Sequence, residues 1–320
     1  KSRENLMVAR YRFKYRFKMS ELFYLNGGKE HVRVANNVHL IAPSWSYVYV
    51  IVGEKLAFID TGLPQYFEDI KKYVADLGHR LQDISLIINT HAHEDHVACN
   101  KALKDICRAK LAVHELDAKY IENPDDFLKD TFRHVPPSKE YVTEAKSWKD
   151  KVDIFLKDGD TVDLSDTTLK VVHAPGHTQG SICLYDKERK VLFSGDALQG
   201  TTEFVKEFGP VTGLYTNLDA YIRSIQRLLS LDLDMILPGH PDIIKNPNTR
   251  KELENCLERV SYMNDKILQN LQKTEMTLEK LTEALGIPVD EWNLTSIESH
   301  IEYLLNKGLV KKKGSYYSLP

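Results

Sequence analysis

The chain has 320 residues, 42% hydrophobic and 28% charged, with a formal net charge of −3. The length predicts one large unit plus a small appended one, and globular proportions with no uncharged apolar run near the roughly 18 residues of a membrane span predict a soluble protein without a membrane partner. The slight negative charge excludes a global attraction to nucleic acid and leaves only local basic patches at the two ends.

Residues 1–18 are basic and rich in Tyr and Phe, yet hold no continuous apolar core of the kind a secretory signal carries. From Ser46 to Asp60 two β-rich runs flank a turn at Gly53 and close on a carboxylate. Pro64 to Leu77 follows, with Phe67, Ile70, Val74 and Leu77 at helical spacing, Pro64 suited to a first turn and Gly78 as a stop. Ile84 to Ile88 is a short apolar strand running into T-H-A-H-E-D-H, so the histidine cluster stands in the loop beyond a strand end. Tyr120 to Asp150, with Pro136-Pro137 and scattered aromatics, reads as a connector or as a wall beside the site.

Ser181 to Asp196 repeats the first plan: two strands, a polar turn and a closing carboxylate. Gln199 to Asn217, rich in Gly and Thr, is a second irregular stretch. Leu218, Tyr221, Ile222, Ile225 and Leu229 then mark a helix, followed by the strand M-I-L-P-G-H ending at His240. The order hairpin, Asp, helix, strand, His occurs twice. It predicts two related β-rich halves packed sheet against sheet, with helices outside and the ligand-bearing loops along one edge.

Cys99, Cys107, Cys183 and Cys256 form neither a C-x-x-C pair nor a disulfide framework, which fits a reducing, cytoplasmic setting. Cys99 lies three residues beyond His96 and is read as a packing residue rather than a ligand. His91, His93, Asp95 and His96 place four metal-ligand types within six residues. Three more occupy matching sites: His177 in P-G-H-T-Q-G-S, Asp196 at a strand end, and His240 after Pro238-Gly239. Imidazole and carboxylate donors suit zinc first, with iron and manganese as alternatives. Two such cations roughly 3.5 to 4 Å apart would bring the pKa of a shared water towards neutrality, making hydroxide the nucleophile for a carbonyl or phosphoryl centre, with Asp95 moving a proton to the leaving group. His31, His39, His79, His114, His134, His173 and His300 have no motif partner and are read as structural or exposed, His134 being the one within reach of the site.

The H-x-H-x-D-H motif, the P-G-H-T-x-G-S loop, the S-G-D strand end and the P-G-H turn, in this order between Val34 and Asn246, resemble the metallo-β-lactamase superfamily. The resemblance implies an α/β fold, a four-layer αββα sandwich. It also implies that His91, His93 and His177 hold a first metal, that Asp95, His96 and His240 hold a second, that Asp196 bridges both, and that Asp60 in I-D-T-G orients neighbouring ligands. Glyoxalase-II enzymes are similar through T-H-x-H-x-D-H and Asn100, but usually have Gly where Cys99 stands and do not continue the last motif as G-H-P-D-I. Acyl-homoserine lactonases usually carry Tyr where Gln199 stands. Zinc β-lactamases rarely have a bridging aspartate at the place of Asp196.

Beyond Asn246, Arg250 to Lys273 reads as a helix, and two further helical stretches with Thr277 and Thr295 as caps lead to K-K-K-G-S-Y-Y-S-L, turned at Gly314. This resembles a winged-helix module, giving a catalytic unit at 20–249 and a helical linker with a winged-helix-like unit at 250–320. Lys307, Lys311, Lys312 and Lys313 invite a nucleic-acid reading, but the helix that would enter a groove carries Glu298 and Glu302 and no Arg, so packing, pocket closure or a homodimer contact is the preferred role. The leading expectation is a binuclear metal-dependent hydrolase of a small ester, thioester or lactone. A ribonuclease acting on single-stranded RNA, as in the similar lactamase-beta-2-like subgroup, is the alternative, and a non-catalytic regulatory or scaffolding protein the third reading.

Overall fold

The computed structural model describes residues 32–41, 46–54, 56–198, 213–240 and 243–320. The segment 1–18, His31, Gln199 and the Pro241-Asp242 continuation of the last motif lie outside them.

A first sheet runs in spatial order β1 (Val32–Ala35), β2 (Val38–Ile41), β3 (Val48–Val52), β4 (Leu56–Ile59), β5 (Ile84–Ile88), β6 (Lys110–His114), β7 (Ile154–Leu156). Its first four strands pair antiparallel, and β4 through β7 are parallel neighbours. The second sheet runs β13 (Ile244–Lys245), β12 (Met235–Pro238), β11 (Val191–Gly195), β10 (Ile182–Asp186), β9 (Thr168–His173), β8 (Thr161–Asp163). Here only β11 and β12 are parallel. The helices are α1 (Phe67–Asp76), α2 (Glu94–Val97), α3 (Asn100–Cys107), α4 (Glu115–Glu122), α5 (Pro124–Thr131), α6 (Lys139–Ser147), α7 (Leu218–Leu228), α8 (Asn248–Leu271), α9 (Leu278–Ala284) and α10 (Glu291–Asn306), and a hairpin of β14 (Lys311–Lys313) and β15 (Tyr316–Ser318) follows the last of them.

The period of two along the central strands sets the layers. Tyr49, Ile51, Ala57 and Ile59 face inward to meet Ile182, Leu184, Val191 and Phe193 of the other sheet. Their neighbours Val48, Val50, Leu56 and Phe58 face outward onto Ile70 and Val74 of α1 and Leu103 of α3. Cys183 and Leu192 likewise face Tyr221 and Ile225 of α7 and Leu253 and Cys256 of α8. Both central hairpins are therefore buried on two faces, and the result is the expected four-layer αββα sandwich.

One stretch is more regular than its sequence suggests, and one expectation needs correction. Tyr120 to Asp150 is mostly helical, comprising the end of α4 with α5 and α6, and Phe127, Ala145 and Trp148 gather around Ala98. Each helix has only eight or nine residues, too few turns for the spacing of Tyr141, Ala145 and Trp148 to stand out between prolines. Thr295 is not a cap, because α10 begins earlier at Asp290, whose side chain accepts from Asn293 N at 2.9 Å, and Thr295 sits inside the helix with its hydroxyl on Glu291. Thr277 does cap α9, accepting from Lys280 N. The first half of α8 packs on the second sheet through Leu253, Cys256 and Val260, and its second half, with Met263, Ile267 and Leu271, joins α9 and α10 around Leu281, Ile297 and Ile301.

Candidate metal centre

Asp60, the segment 91–96, His177, Asp196 and His240 leave the carboxyl ends of β4, β5, β9, β11 and β12, which lie along one edge of the sandwich. Cross-sheet bonds fix that edge: Ile182 N donates to Thr90 O at 2.9 Å, Tyr47 N to Gly239 O at 2.7 Å, and Tyr49 Oη to Pro238 O at 2.7 Å. Close approach decides two glycines. A Cβ on Gly195 would strike Thr90 Oγ1, and one on Gly239 would strike Asp196 Oδ1 and the His96 ring. The S-G-D and P-G-H motifs thus mark places where one half's backbone passes against the other half's site.

The seven expected ligand residues are brought together. His91, His93 and His177 form one group, His91, His96 and Asp196 a second, and Asp95, His96 and His240 a third, each with its donor atoms within 4.8 Å of one another. Outer hydrogen bonds select which nitrogen faces in. Asp60 accepts from Thr90 N and Thr90 Oγ1 and from His96 Nδ1, each at 2.8 Å. Thr90 Oγ1, its proton given to Asp60, accepts from His91 Nδ1 at 3.1 Å, and Leu214 O accepts from His177 Nδ1 at 2.9 Å. His91, His96 and His177 therefore present Nε2 to the centre.

That arrangement fits metal ions. With their Nδ1 protons committed, His91 Nε2 and His177 Nε2 face each other as lone pairs at 3.2 Å, and His93 Nδ1 lies 2.7 Å from the same His177 nitrogen. His96 Nε2 is buried and makes no hydrogen bond. Such a set is costly by itself and is relieved by cations among the nitrogens. Burial holds His91, His93 and His177 below the ordinary imidazole pKa, so they are neutral donors. Burial pushes His96 the same way, but Asp95, Asp196 and Asp60 outweigh it and raise it to about 10. Around Asp196 burial is likewise outweighed, and His240 and His96 hold its carboxyl well below the usual range. His96 Nε2 lies 3.4 Å from Asp196 and 3.6 Å from Asp95, and His240 Nε2 lies 3.2 Å from Asp196 and 3.4 Å from Asp95.

Two residues at this edge carry no sequence signal. Asp117, in the first turn of α4, is fully buried and accepts from Ala92 N (3.0 Å), Gly180 N (2.7 Å) and Thr178 Oγ1 (2.7 Å). It pins the His91–His93 loop of one sheet to the His177 loop of the other. Trp292, in the first turn of α10, meets the His93 ring at 5.8 Å. Of the residues read as structural, Cys99 is buried in the core and its thiol is pushed up to about 12 by burial. His134 lies on Glu298 and His300 on Asn264.

The sequence profile of the metallo-beta-lactamase superfamily matches residues 42–240. The chain is 30% identical over 246 residues to the acyl-coenzyme A thioesterase MBLAC2 of Homo sapiens, covering 70% of this chain and 77% of that one. It is 32% identical over 167 residues to the Bos taurus protein of the same name, covering 48% of this chain and 55% of that one, so it spans about half the length of that relative. The crystal structure of a metallo-beta-lactamase family protein from Thermus thermophilus superposes with a TM-score of 0.77 at 23% identity, covering 90% of this chain and all of the other, which shows a shared fold.

Proposed function

The chain belongs to the metallo-beta-lactamase superfamily, and from that premise we propose that it is a binuclear metal-dependent hydrolase of acyl thioesters. The observation that carries this reading is the approach of His91 Nε2 and His177 Nε2 to 3.2 Å beside the buried His96 Nε2, which makes no hydrogen bond, an arrangement that cations among the nitrogens would relieve. His91, His93 and His177 would hold one ion, Asp95, His96 and His240 the other, and Asp196 both. Imidazole and carboxylate donors suit zinc first, and the absence of thiolate leaves iron and manganese as alternatives. Within the ester, thioester and lactone class, the thioester is chosen because a relative matched over most of its length is named an acyl-coenzyme A thioesterase.

When bound, two divalent cations supply Lewis acidity and a water with a pKa near 7. The protein's own groups do the rest. Asp60 and Thr90 hold the His96 and His91 rings in one tautomer, and Asp117 fixes the spacing of the two ligand loops. Asp95, 3.4 Å from His240 and with its side chain 17% exposed, would hold a proton and pass it to the departing thiolate. The carboxy-terminal helices and hairpin have the element order of a winged helix. The side of α10 left uncovered carries Glu298, half-buried, and Glu302, exposed, and these would repel phosphates, so small-molecule hydrolysis is preferred to RNA cleavage.

Metal-stripped protein reloaded with zinc tests the reading. The expected result is two ions per chain and thioester hydrolysis that a chelator abolishes and zinc restores. RNA cleavage with thioesters left intact would transfer the site to a nuclease, and inactivity on both beside a tight macromolecular partner would favour a scaffold.

A further inference from the structure

The carboxy-terminal unit reaches into the metal centre. The Trp292 indole stands edge-on to His93 at 5.8 Å and to Phe132 at 5.6 Å. Phe127 flanks the same His93 ring at 6.0 Å and is backed by Trp148. This aromatic cluster is held by a buried anion. Glu291 is 4% exposed, and its carboxylate accepts three consecutive backbone N–H groups, those of Arg133 (2.9 Å), His134 (2.8 Å) and Val135. A buried carboxylate is stable only when so satisfied, which locks the loop carrying Phe132 to the helix carrying Trp292. Glu298 adds an ion pair to Arg133 (3.2 Å) and a hydrogen bond from His134 Nε2 (3.1 Å). Further along α10, Ser296 Oγ donates to Gly213 O and Ser299 Oγ accepts from Leu218 N at 2.7 Å, bracketing Leu214, whose carbonyl orients His177.

We propose that Trp292 is a specificity-determining residue, which with Phe132, and backed by the buried Phe127, forms the apolar wall that receives the acyl chain of the substrate, so that the carboxy-terminal unit is part of the active site. The proposal rests on the acyl-thioester reading for the identity of the occupant. The direction of the substrate follows from exposure. Beside the buried His91, His93 and His177, the rings of Trp292 and Phe132 are half-buried and offer apolar surface, whereas the polar side chains of His240 and Asp95 are 20% and 17% exposed. A polar leaving group retains its water on the open side, and a hydrocarbon chain gains most by displacing water from the rings.

Calorimetric titration of the zinc-loaded protein with acetate and with decanoate tests the wall, using wild type, Trp292→Phe and Trp292→Ala. Decanoate is expected to bind about tenfold more weakly to Trp292→Ala and within about twofold of wild type to Trp292→Phe, with acetate binding and the two ions per chain unchanged. Equal decanoate affinity in wild type and Trp292→Ala, no decanoate binding to wild type, or parallel weakening of both acids would overturn it. A wild type that hydrolyses no thioester while the decanoate difference persists removes the substrate reading and leaves the wall. Thioester hydrolysis with the same acetyl-to-decanoyl preference in wild type and Trp292→Ala does the reverse.

Discussion

Asp60 and Asp196 hold the same place in the two halves of the sandwich. Each closes an antiparallel hairpin, β3–β4 or β10–β11, and each precedes a helix, α1 or α7, that leads to a parallel strand, β5 or β12. Both strand ends turn through a left-handed residue, Asp60 itself at φ 59 and Gly195 at φ 46. The surroundings then diverge. Asp60 takes three protein donors at 2.8 Å, two of them from Thr90, and is filled. Asp196 faces the imidazoles of His96, His177 and His240 at 3.2 to 3.4 Å. The residue just before the next histidine separates the two cases: Thr90 before His91 offers a hydroxyl and an N–H, while Gly239 before His240 offers no side chain and lets Asp196 lie against its backbone. Position in the fold places a carboxylate at the edge, and its neighbour decides whether it is filled by protein donors or left facing the imidazoles.

The largest expected effect tests the ligand side of that contrast. Asp196→Asn should lower thioester turnover on the order of 10³-fold and cut bound zinc below two ions per chain, read by elemental analysis, because charge stabilisation at both ions goes with it. Asp60→Asn should keep both ions at saturating zinc but weaken metal affinity by roughly 10- to 100-fold, the usual cost of removing an outer partner of a ligating histidine. Equal losses in the two variants would erase the distinction. The smallest effect extends the contrast from carboxylates to imidazoles. Carboxylates raise His96, whereas His300 is buried on the neutral Asn264 amide and pushed down to about 3. The unfolded chain protonates this group near pH 6.5 and the folded chain only near pH 3. Its contribution is therefore full above about pH 6.5, lost progressively as pH falls through that window, and level below it. Between pH 7 and 4.5 wild type should lose about 2–3 kcal/mol more stability than His300→Gln in urea titrations. Parallel pH profiles would show that the ring titrates normally.

The sandwich and the seven-residue cluster were legible because each rests on a local signal. Continuous β-rich apolar runs at Tyr47–Val52 and Ile182–Tyr185 signal doubly buried strands, and H-A-H-E-D-H, S-G-D and P-G-H concentrate ligand types at strand ends. The repeat of hairpin, Asp, helix, strand and His was equally readable, since its parts are contiguous. Asp117 was not, because a carboxylate in a helix's first turn looks the same whether it faces water or accepts from Ala92 and Gly180. The helices of Tyr120 to Asp150 were too short to show their period, and Thr295 looked like a cap because the burial of Glu291 that extends α10 backwards involves residues about 157 positions away.

The sequence by itself determined the chemistry available at the edge, since imidazole and carboxylate donors and their strand-end spacing are properties of residue type and short-range order. The tertiary structure decided the surroundings: which aspartate takes protein donors and which faces the imidazoles, which nitrogens of His91, His96 and His177 face inward, and that the carboxy-terminal helix stands beside His93. Those outcomes depend on which donor or ring arrives from a distant segment, and a polar or aromatic side chain takes its role from the partner that burial puts against it.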